Sequence, residues 1–547
     1  MDLFSKHQQK LEAAVQALKQ RHYFFAYPES PKQYPESAAM EAQQAFKSWT
    51  GTRFSLGQME GDAWHGEEVS PFTRQALGIR YPIYEPSRLV HQVNLATASW
   101  RRASVQERVG VLMEALDYVK DRFFEMAIAT QHTTGQSWLM SFQASGPHAA
   151  DRALEVIAMG FVLQTQFVDE VTWEKPLGKV SLRLHKTYRP FGRGVGVVIG
   201  CSTFPVWNTF PGLFANLVTG NGAIVKPHPG AVLPIAIAVK AIREALSNHG
   251  YNPDVLMLTG DRSDAPLTRE LVLHPEVKIV DYTGSTSFGN WLESLTDKVV
   301  YTEKAGVNVV ILDSVTNLDA VVQNLAFSIS LYSGQMCTAP QNVFVPKWVP
   351  SEAGPLTQDQ VVEAIRQGIQ QLGSNPKTAA GVLGALQNEK TRQRIAEIAQ
   401  TMGQTLEPAI NEEFPDAAVF KPVILEVKAS SSNLYREELF GPLAVVIRAN
   451  DTREAIEEAT VLAREKGAIT CLVYSTNQDL CNEIALRMNE LFVPVSFNLT
   501  GPVWVNQHAA FSDLHGTGGN AAGTACFTDA AFLARRFVWV GNRTLVS

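Results

Sequence analysis

Five cysteines are scattered along the 547 residues, at positions 201, 337, 471, 481 and 526, and one of them has a setting suited to chemistry. Cys337 lies in Ser330-Leu-Tyr-Ser-Gly-Gln-Met-Cys-Thr338, just after a Gly-Gln turn. Backbone N–H groups in such a turn can lower a thiol pKa and hold the oxyanion formed when the sulfur attacks a carbonyl. The bland alternative is a small buried hydrophobe, and no Cys–His spacing points to a protease-like pair. Glu303 closes the apolar run Val300-Tyr-Thr-Glu, where a carboxylate could serve as a general base; beside Lys304 it could equally be a solvated side chain. Glu437 and Glu438 precede Leu439-Phe-Gly-Pro442, a pattern that also fits an acidic pair before a turn.

Two further segments suit phosphate or ribose. Tyr282-Thr-Gly-Ser-Thr-Ser-Phe-Gly289 follows an apolar run and opens a helical one, so Gly284, Ser285 and Gly289 could admit a phosphate to the N–H groups of a helix start. Lys226 ends Ala223-Ile-Val-Lys-Pro227, and the carboxyl end of a parallel strand is the ligand-binding edge of such sheets. By contrast, Gly192-Arg-Gly-Val-Gly196 precedes its strand and reads as a turn.

The elements that must position these groups follow from periodicity. Helical spacing runs from about 95 to 165, through Val105, Val109, Leu112, Leu116 and Val119 and on to Leu154, Ile157 and Phe161. Lys179–His185 alternates like a half-exposed strand. From Gly194 onward, β-branched runs (Val195–Ile199, Ala223–Lys226, Val255–Leu258, Val277–Tyr282) alternate with helical stretches, predicting a doubly wound parallel sheet of α/β class. A second α/β series uses Asn308–Leu312, Val343–Val345, Ala444–Ile447, Ala468–Tyr474 and Val493–Phe497. The tail Arg536-Phe-Val-Trp-Val540 reads as a strand. Residues 1–90 read as an appended segment, opening on an amphipathic helix with Leu11, Ala14, Val15 and Leu18 on one face, then the Pro-rich connector Tyr27–Pro35.

Composition narrows the class. At 45% hydrophobic and 18% charged the chain is ordinary globular protein, and its length implies more than one domain. A net charge of −7 argues against nucleic acid or an anionic membrane as partner. Gly194–Val225 carries no charge, but its prolines, glycines and asparagines suit a buried strand–helix pair better than a membrane span. The first residues lack the apolar stretch of a signal peptide, and few unpaired cysteines fit a cytoplasmic setting. No CxxC pair is present, which argues against a zinc knuckle, and no metal ligand is assigned.

In order and spacing, the TGSTxxG loop, Glu303, GQxC at Cys337 and EELFGP at 437–442 together resemble the aldehyde dehydrogenase superfamily over roughly residues 95–547. Within it, the long N-terminal segment, Val495–Asn506 and Ala510–Gly518 look most like the PaaN-type enzymes of bacterial phenylacetate degradation. The resemblance implies an NAD- or NADP-dependent oxidation of an aldehyde to an acid, with a CoA-linked semialdehyde as substrate. It makes Cys337 the nucleophile and Glu303 the base that activates water on the thioester. It gives Gly284, Ser285 and Gly289 to the cofactor loop, Lys226 and Glu438 to the two riboses, and Phe440 to the nicotinamide. It divides the chain into an extension (1–90), an NAD(P)-binding domain (91–168 and 191–305), a catalytic domain (306–508) and an oligomerisation flap (169–190 and 509–547) of a homodimer or homotetramer. Two positions depart from the family. Thr203 stands where an asparagine usually donates to the oxyanion; Asn208 would substitute only if the following helix were about five residues shorter. Pro229 stands where NAD-preferring members often carry a glutamate, which leaves room for NADP, with His228 as a phosphate contact. A CoA-acylating enzyme and a catalytically quiet binding protein are the alternatives; Glu303 opposes the first, and Glu303 with Cys337 the second.

Overall fold

The computed structural model of the chain describes residues 2–430, 433–503, 509–516 and 518–546. Of the stretches singled out above, 504–506 at the end of Val495–Asn506, Thr517, and the 508 domain boundary lie outside the described residues. Two parallel sheets and one antiparallel sheet carry the architecture, with two short ribbons beside them.

The first sheet has five parallel strands in the spatial order Leu256–Leu258, Gly222–Lys226, Val195–Ile199, Val277–Gly284 and Val299–Lys304. Its strands are buried runs because helices cover both faces. Val105–Lys120, Pro147–Thr165, Pro205–Val218 and Leu233–Asn248 pack against one face, burying Ala223 and Val225; Pro86–Trp100 lies on the other, over Val195, Val197 and Ile224. The strand order reverses between Val195–Ile199 and Val277–Gly284, which opens a crevice at their carboxyl ends.

The second sheet has six parallel strands, Val423–Lys428, Leu443–Ala449, Asn342–Pro346, Val309–Leu312, Cys471–Tyr474 and Val495–Phe497. Sequence periodicity missed Val423–Lys428, an edge strand whose last residues are progressively exposed. In the third sheet the tail strand Phe537–Leu545 pairs antiparallel with Val180–Gly192, which pairs with Glu170–Leu177. That long partner carries the alternating Lys179–His185 run well past its expected end.

Residues 1–90 are packed into the first core rather than trailing from it. The helix Leu3–Gln20 buries Leu11, Ala14, Ala17 and Leu18, while Val15 is only partly covered. Lys6 and His7 reach Glu114 at 2.6 and 2.7 Å. Gly110 permits the contact, since a Cβ there would stand 2.6 Å from the Phe4 nitrogen. Further along, Glu68 accepts the N–H groups of Val232 and Leu233 and so caps the Leu233–Asn248 helix.

Candidate active site

Four site residues sit at the carboxyl edge of the first sheet, because each ends a strand or follows one. Lys226 and Gly284 terminate their strands and Glu303 is the penultimate residue of its own. Thr203 lies in the loop after Val195–Ile199. This edge opens a cleft of about 620 Å³ whose lining includes Thr203, Lys226, His228, Ser285, Glu438 and Phe440. Ser285 precedes the helix Thr286–Glu293 and makes no side-chain cap, so the first N–H groups have no capping partner from it. Gly289 has a packing reason beyond any ligand: a Cβ there would meet the Lys304 side chain at 2.5 Å. The Lys226 Nζ is held 2.8 Å from the Asp261 carboxylate, both side chains nearly fully buried. His228 is exposed on the rim, and its Nδ1 accepts the Gly230 N–H. Burial, with the like charge of Glu303 nearby, pushes the Glu438 carboxyl up to about 7. Its loop is clamped by Gln341, which donates to the Glu437 carbonyl and accepts from the Leu439 N–H, and by Arg394, which donates to the Phe440 carbonyl. These donors, the open helix start and the two ribose candidates suit a dinucleotide.

Across the cleft, Cys337 is presented by a loop with an unusual backbone. After the helix Leu318–Ser330, Tyr332, Ser333 and Gly334 have φ of 53°, 51° and 64°. Left-handed non-glycine residues cost on the order of 1 kcal/mol or more each, and persist where their surroundings over-determine them. Here the Tyr332 hydroxyl donates to the Thr134 carbonyl, Ser333 to Gly384, and the Gln335 amide to Ala385. Gly334 is obligatory, since a Cβ would stand 2.3 Å from the Gly441 carbonyl oxygen. Asn308 donates to the carbonyls of Cys337 and Ala339 at 2.7 and 3.0 Å, pinning the other end.

The two sides meet in a small buried group. Asn208 Nδ2 donates to Glu303 Oε2 at 2.9 Å, and His515 Nε2 lies 3.0 Å from Glu303 Oε1 and 3.9 Å from Cys337 Sγ. Burial pushes the Cys337 thiol well up, and the Glu303 charge beside it adds to this. For Glu303, burial acts upward too, but the charge and hydrogen bond of His515, with donors from Cys337 and Asn208, outweigh it and hold the carboxyl below its usual range. At rest the proton is therefore on sulfur and the carboxylate is ionised. Glu303, Cys337 and His515 also form one of two groups among the described residues whose ligand atoms could converge on a metal ion.

Asn208 reaches this point without any shortening of its helix, correcting the expectation above. The helix Pro205–Val218 starts at the site, so a residue in its first turn faces the junction. Thr203 lines only the cofactor-side cleft, and its carbonyl accepts from Gln136. Sequence reasoning missed His515 as a site residue. It lies in the Ala510–Gly518 stretch already singled out, but nothing in its spacing points to Cys337, 178 positions away.

A second cavity of about 380 Å³ meets the cleft at Cys337 and Asn208. Phe204, Trp207, Phe327, Leu331 and Met140 line it, and no described lysine or arginine does. His148 at its wall is paired with Glu29 at 2.9 Å.

Residues 70–524 match the aldehyde dehydrogenase family. The chain belongs to that family. It is 42% identical, with a TM-score of 0.97, to the crystal structure of an NAD-dependent aldehyde dehydrogenase from Burkholderia multivorans, over 100% of this chain and 99% of that one. It is 29% identical over 379 residues to N-succinylglutamate 5-semialdehyde dehydrogenase of Ectopseudomonas mendocina, covering 67% of this chain and 72% of that protein. Thermus 1-pyrroline-5-carboxylate dehydrogenase with bound NAD, at 19% identity and a TM-score of 0.76 over 96% and 99% of the two chains, shares the fold. This aldehyde dehydrogenase therefore oxidises an aldehyde to an acid with NAD(P). No helix among its described residues is long and apolar enough to cross a membrane.

Proposed function

We propose that Cys337 is the nucleophile, Glu303 the base of the hydrolytic half-reaction, and Asn208 with the Cys337 backbone N–H the oxyanion donors. The observation that carries this reading is the convergence of these groups where the two cavities join. The Cys337 sulfur adds to the aldehyde carbon as its proton is lost to solvent water in the open cleft, which leaves Glu303 ionised for the second half-reaction. One Asn208 amide hydrogen stays on Glu303 and the other is left for the oxyanion. Lys226, Ser285, Glu438 and Phe440 would hold NAD(P), with Gly284 and Gly289 leaving space at the loop; NAD(P) bound there would supply the hydride acceptor that turns the Cys337 adduct into a thioester. Glu303 then takes a proton from water as it attacks that thioester, releasing the acid.

The substrate in this reading carries an uncharged chain next to its aldehyde. A semialdehyde bearing a carboxylate close by would need a cation, and the substrate cavity offers no described lysine or arginine. A CoA-linked semialdehyde, as in phenylacetate catabolism, meets that condition because the pantetheine arm is neutral. NADP is accepted as well as NAD, for want of an acidic residue at Pro229, with the exposed His228 beside it as a phosphate contact. The flap strands associate two or four copies; Phe167, Val538 and Val540 are 63%, 45% and 43% exposed there. The divisions 1–90, 91–168 with 191–305, 306–508, and 169–190 with 509–547 are proposed as domains, and five free cysteines support a cytoplasmic location. Turnover of NAD and NADP with neutral-chain, carboxylated and CoA-linked aldehydes tests the assignment. Reduction only in the presence of free CoA would replace it with the acylating reading.

A further inference from the structure

Glu303 works under a condition that the nucleophile and base assignment leaves unexplained. It is 5% exposed, and an ionised carboxylate with so little water is stable only with a charged or strongly donating partner. The titratable groups facing it are the Cys337 and Cys201 thiols, the Glu438 carboxyl and His515. Lys304, next in sequence, points to the other side of the strand, where it pairs with Glu293 and Asn290. Among the described residues facing it, His515 is the one able to carry positive charge toward the carboxylate.

The His515 ring is itself held in place. It is 3% exposed, stands edge-on to Trp207 at 4.7 Å and packs against Phe527 at 5.4 Å. Its carbonyl accepts the Phe527 N–H, and Gly516, with φ of 75°, keeps a Cβ from standing 2.6 Å from the Ala525 carbonyl oxygen. Arg152 braces the same loop by donating to the Asp513 carbonyl at 2.9 Å while its guanidinium lies over Trp207. Arg152 is in turn paired with the buried Glu155 at 2.7 Å.

We propose that His515 is a positioning residue of the hydrolytic half-reaction: with Asn208 it holds both oxygens of Glu303, turns the carboxylate toward Cys337, and supplies the counter-charge that keeps it a base. The proposal rests on the reading of Cys337 and Glu303 given above. Histidine suits the task because its Nε2–H donates to Oε1 in either charge state, whereas a lysine would place a fixed charge beside the thiol.

The test follows acyl-enzyme hydrolysis in the His515→Gln variant by rapid mixing and intact mass spectrometry, from about pH 5 to about pH 9. Glutamine keeps a donor and loses the charge. The expected result is a normal burst of NAD(P)H, then hydrolysis slowed about 10- to 100-fold at neutral pH, with its acid limb moved up by about one unit or more and the rate recovering at high pH. A merely structural role would lower the rate equally at every pH. An unmoved acid limb, or loss of the burst itself, overturns the proposal. Glu303→Gln run in parallel separates the two readings: if it stalls as an acyl-enzyme while His515→Gln behaves as wild type, only this inference fails. Should His515→Gln not fold, infrared difference spectra of wild type against Glu303→Gln decide the matter. An ionised Glu303 at neutral pH supports the proposal, and a protonated one overturns it.

Discussion

The two cavities that meet at Cys337 are built on opposite principles. The cofactor cleft is lined by charge and by main chain: Lys226, Glu303, Lys304, Glu438 and the open helix start at Ser285. The substrate cavity is lined by Phe204, Trp207, Phe327, Leu331 and Met140, with Cys337, His148 and His515 as its titratable groups among the described residues. One side offers fixed dipoles and paired charges for a polyanion of constant structure. The other offers shape and apolar surface, which discriminate by roughly 1–3 kcal/mol per methylene and reject a charge by refusing to solvate it. In the proposed reading, specificity for the aldehyde lies in what the described wall lacks, and specificity for the cofactor in what the wall presents.

The largest expected effect falls on the junction itself. Cys337→Ser should abolish the first hydride transfer, lowering NAD(P)H formation by roughly 1000-fold or more, because a serine hydroxyl stays protonated where even the thiol is pushed up. A stopped-flow trace with residual burst would mean that another residue attacks. Next, Glu303→Gln should yield about one NAD(P)H per site and then stall, with turnover down roughly 100- to 10,000-fold and an adduct on Cys337 by mass spectrometry. Restoration of that turnover by added CoA would move the acylating reading to first place.

The substrate wall can be converted toward the character of the other side. Wild type should favour a neutral-chain aldehyde over a carboxylated semialdehyde by about 100-fold in kcat/KM, and Leu331→Arg should narrow that ratio by about tenfold. Equal rates in wild type would show that a cation reaches the cavity from elsewhere. The smallest effect is on the cofactor side. Asp261 neutralises Lys226 at 2.8 Å, so Asp261→Asn should free the ammonium and improve KM for NADP relative to NAD by about fivefold. No change in that ratio would place Lys226 out of reach of the 2′ position.

Much of this arrangement is legible in the sequence because it is local. Val195–Ile199 is a strand with the expected bounds, and Lys226, Gly284 and Glu303 lie at strand ends since a buried parallel strand is a short apolar run that stops where polar residues begin. Edge strands are less legible: Val423–Lys428 mixes apolar with charged residues and carries no clear strand period, and Val180–Gly192 is long because the tail strand pairs along it. Counting residues along the chain places Thr203, not Asn208, at the oxyanion position. What mattered was that the helix N-terminus faces the cavity, and spacing does not report direction.

By itself, then, the sequence determined the buried central strands of both parallel sheets, which strand ends bear polar groups, and which cysteine follows a turn. These depend on contacts a few residues long. The tertiary structure alone decided that Asn208 and His515 share the carboxylate of Glu303, that Lys226 is neutralised by Asp261, and that the substrate wall is without a described cation. His515 is 212 residues from Glu303 in the chain. Their meeting is set by how the C-terminal loop packs on Trp207 and Phe527, and a buried charge takes its properties from whatever the fold brings beside it.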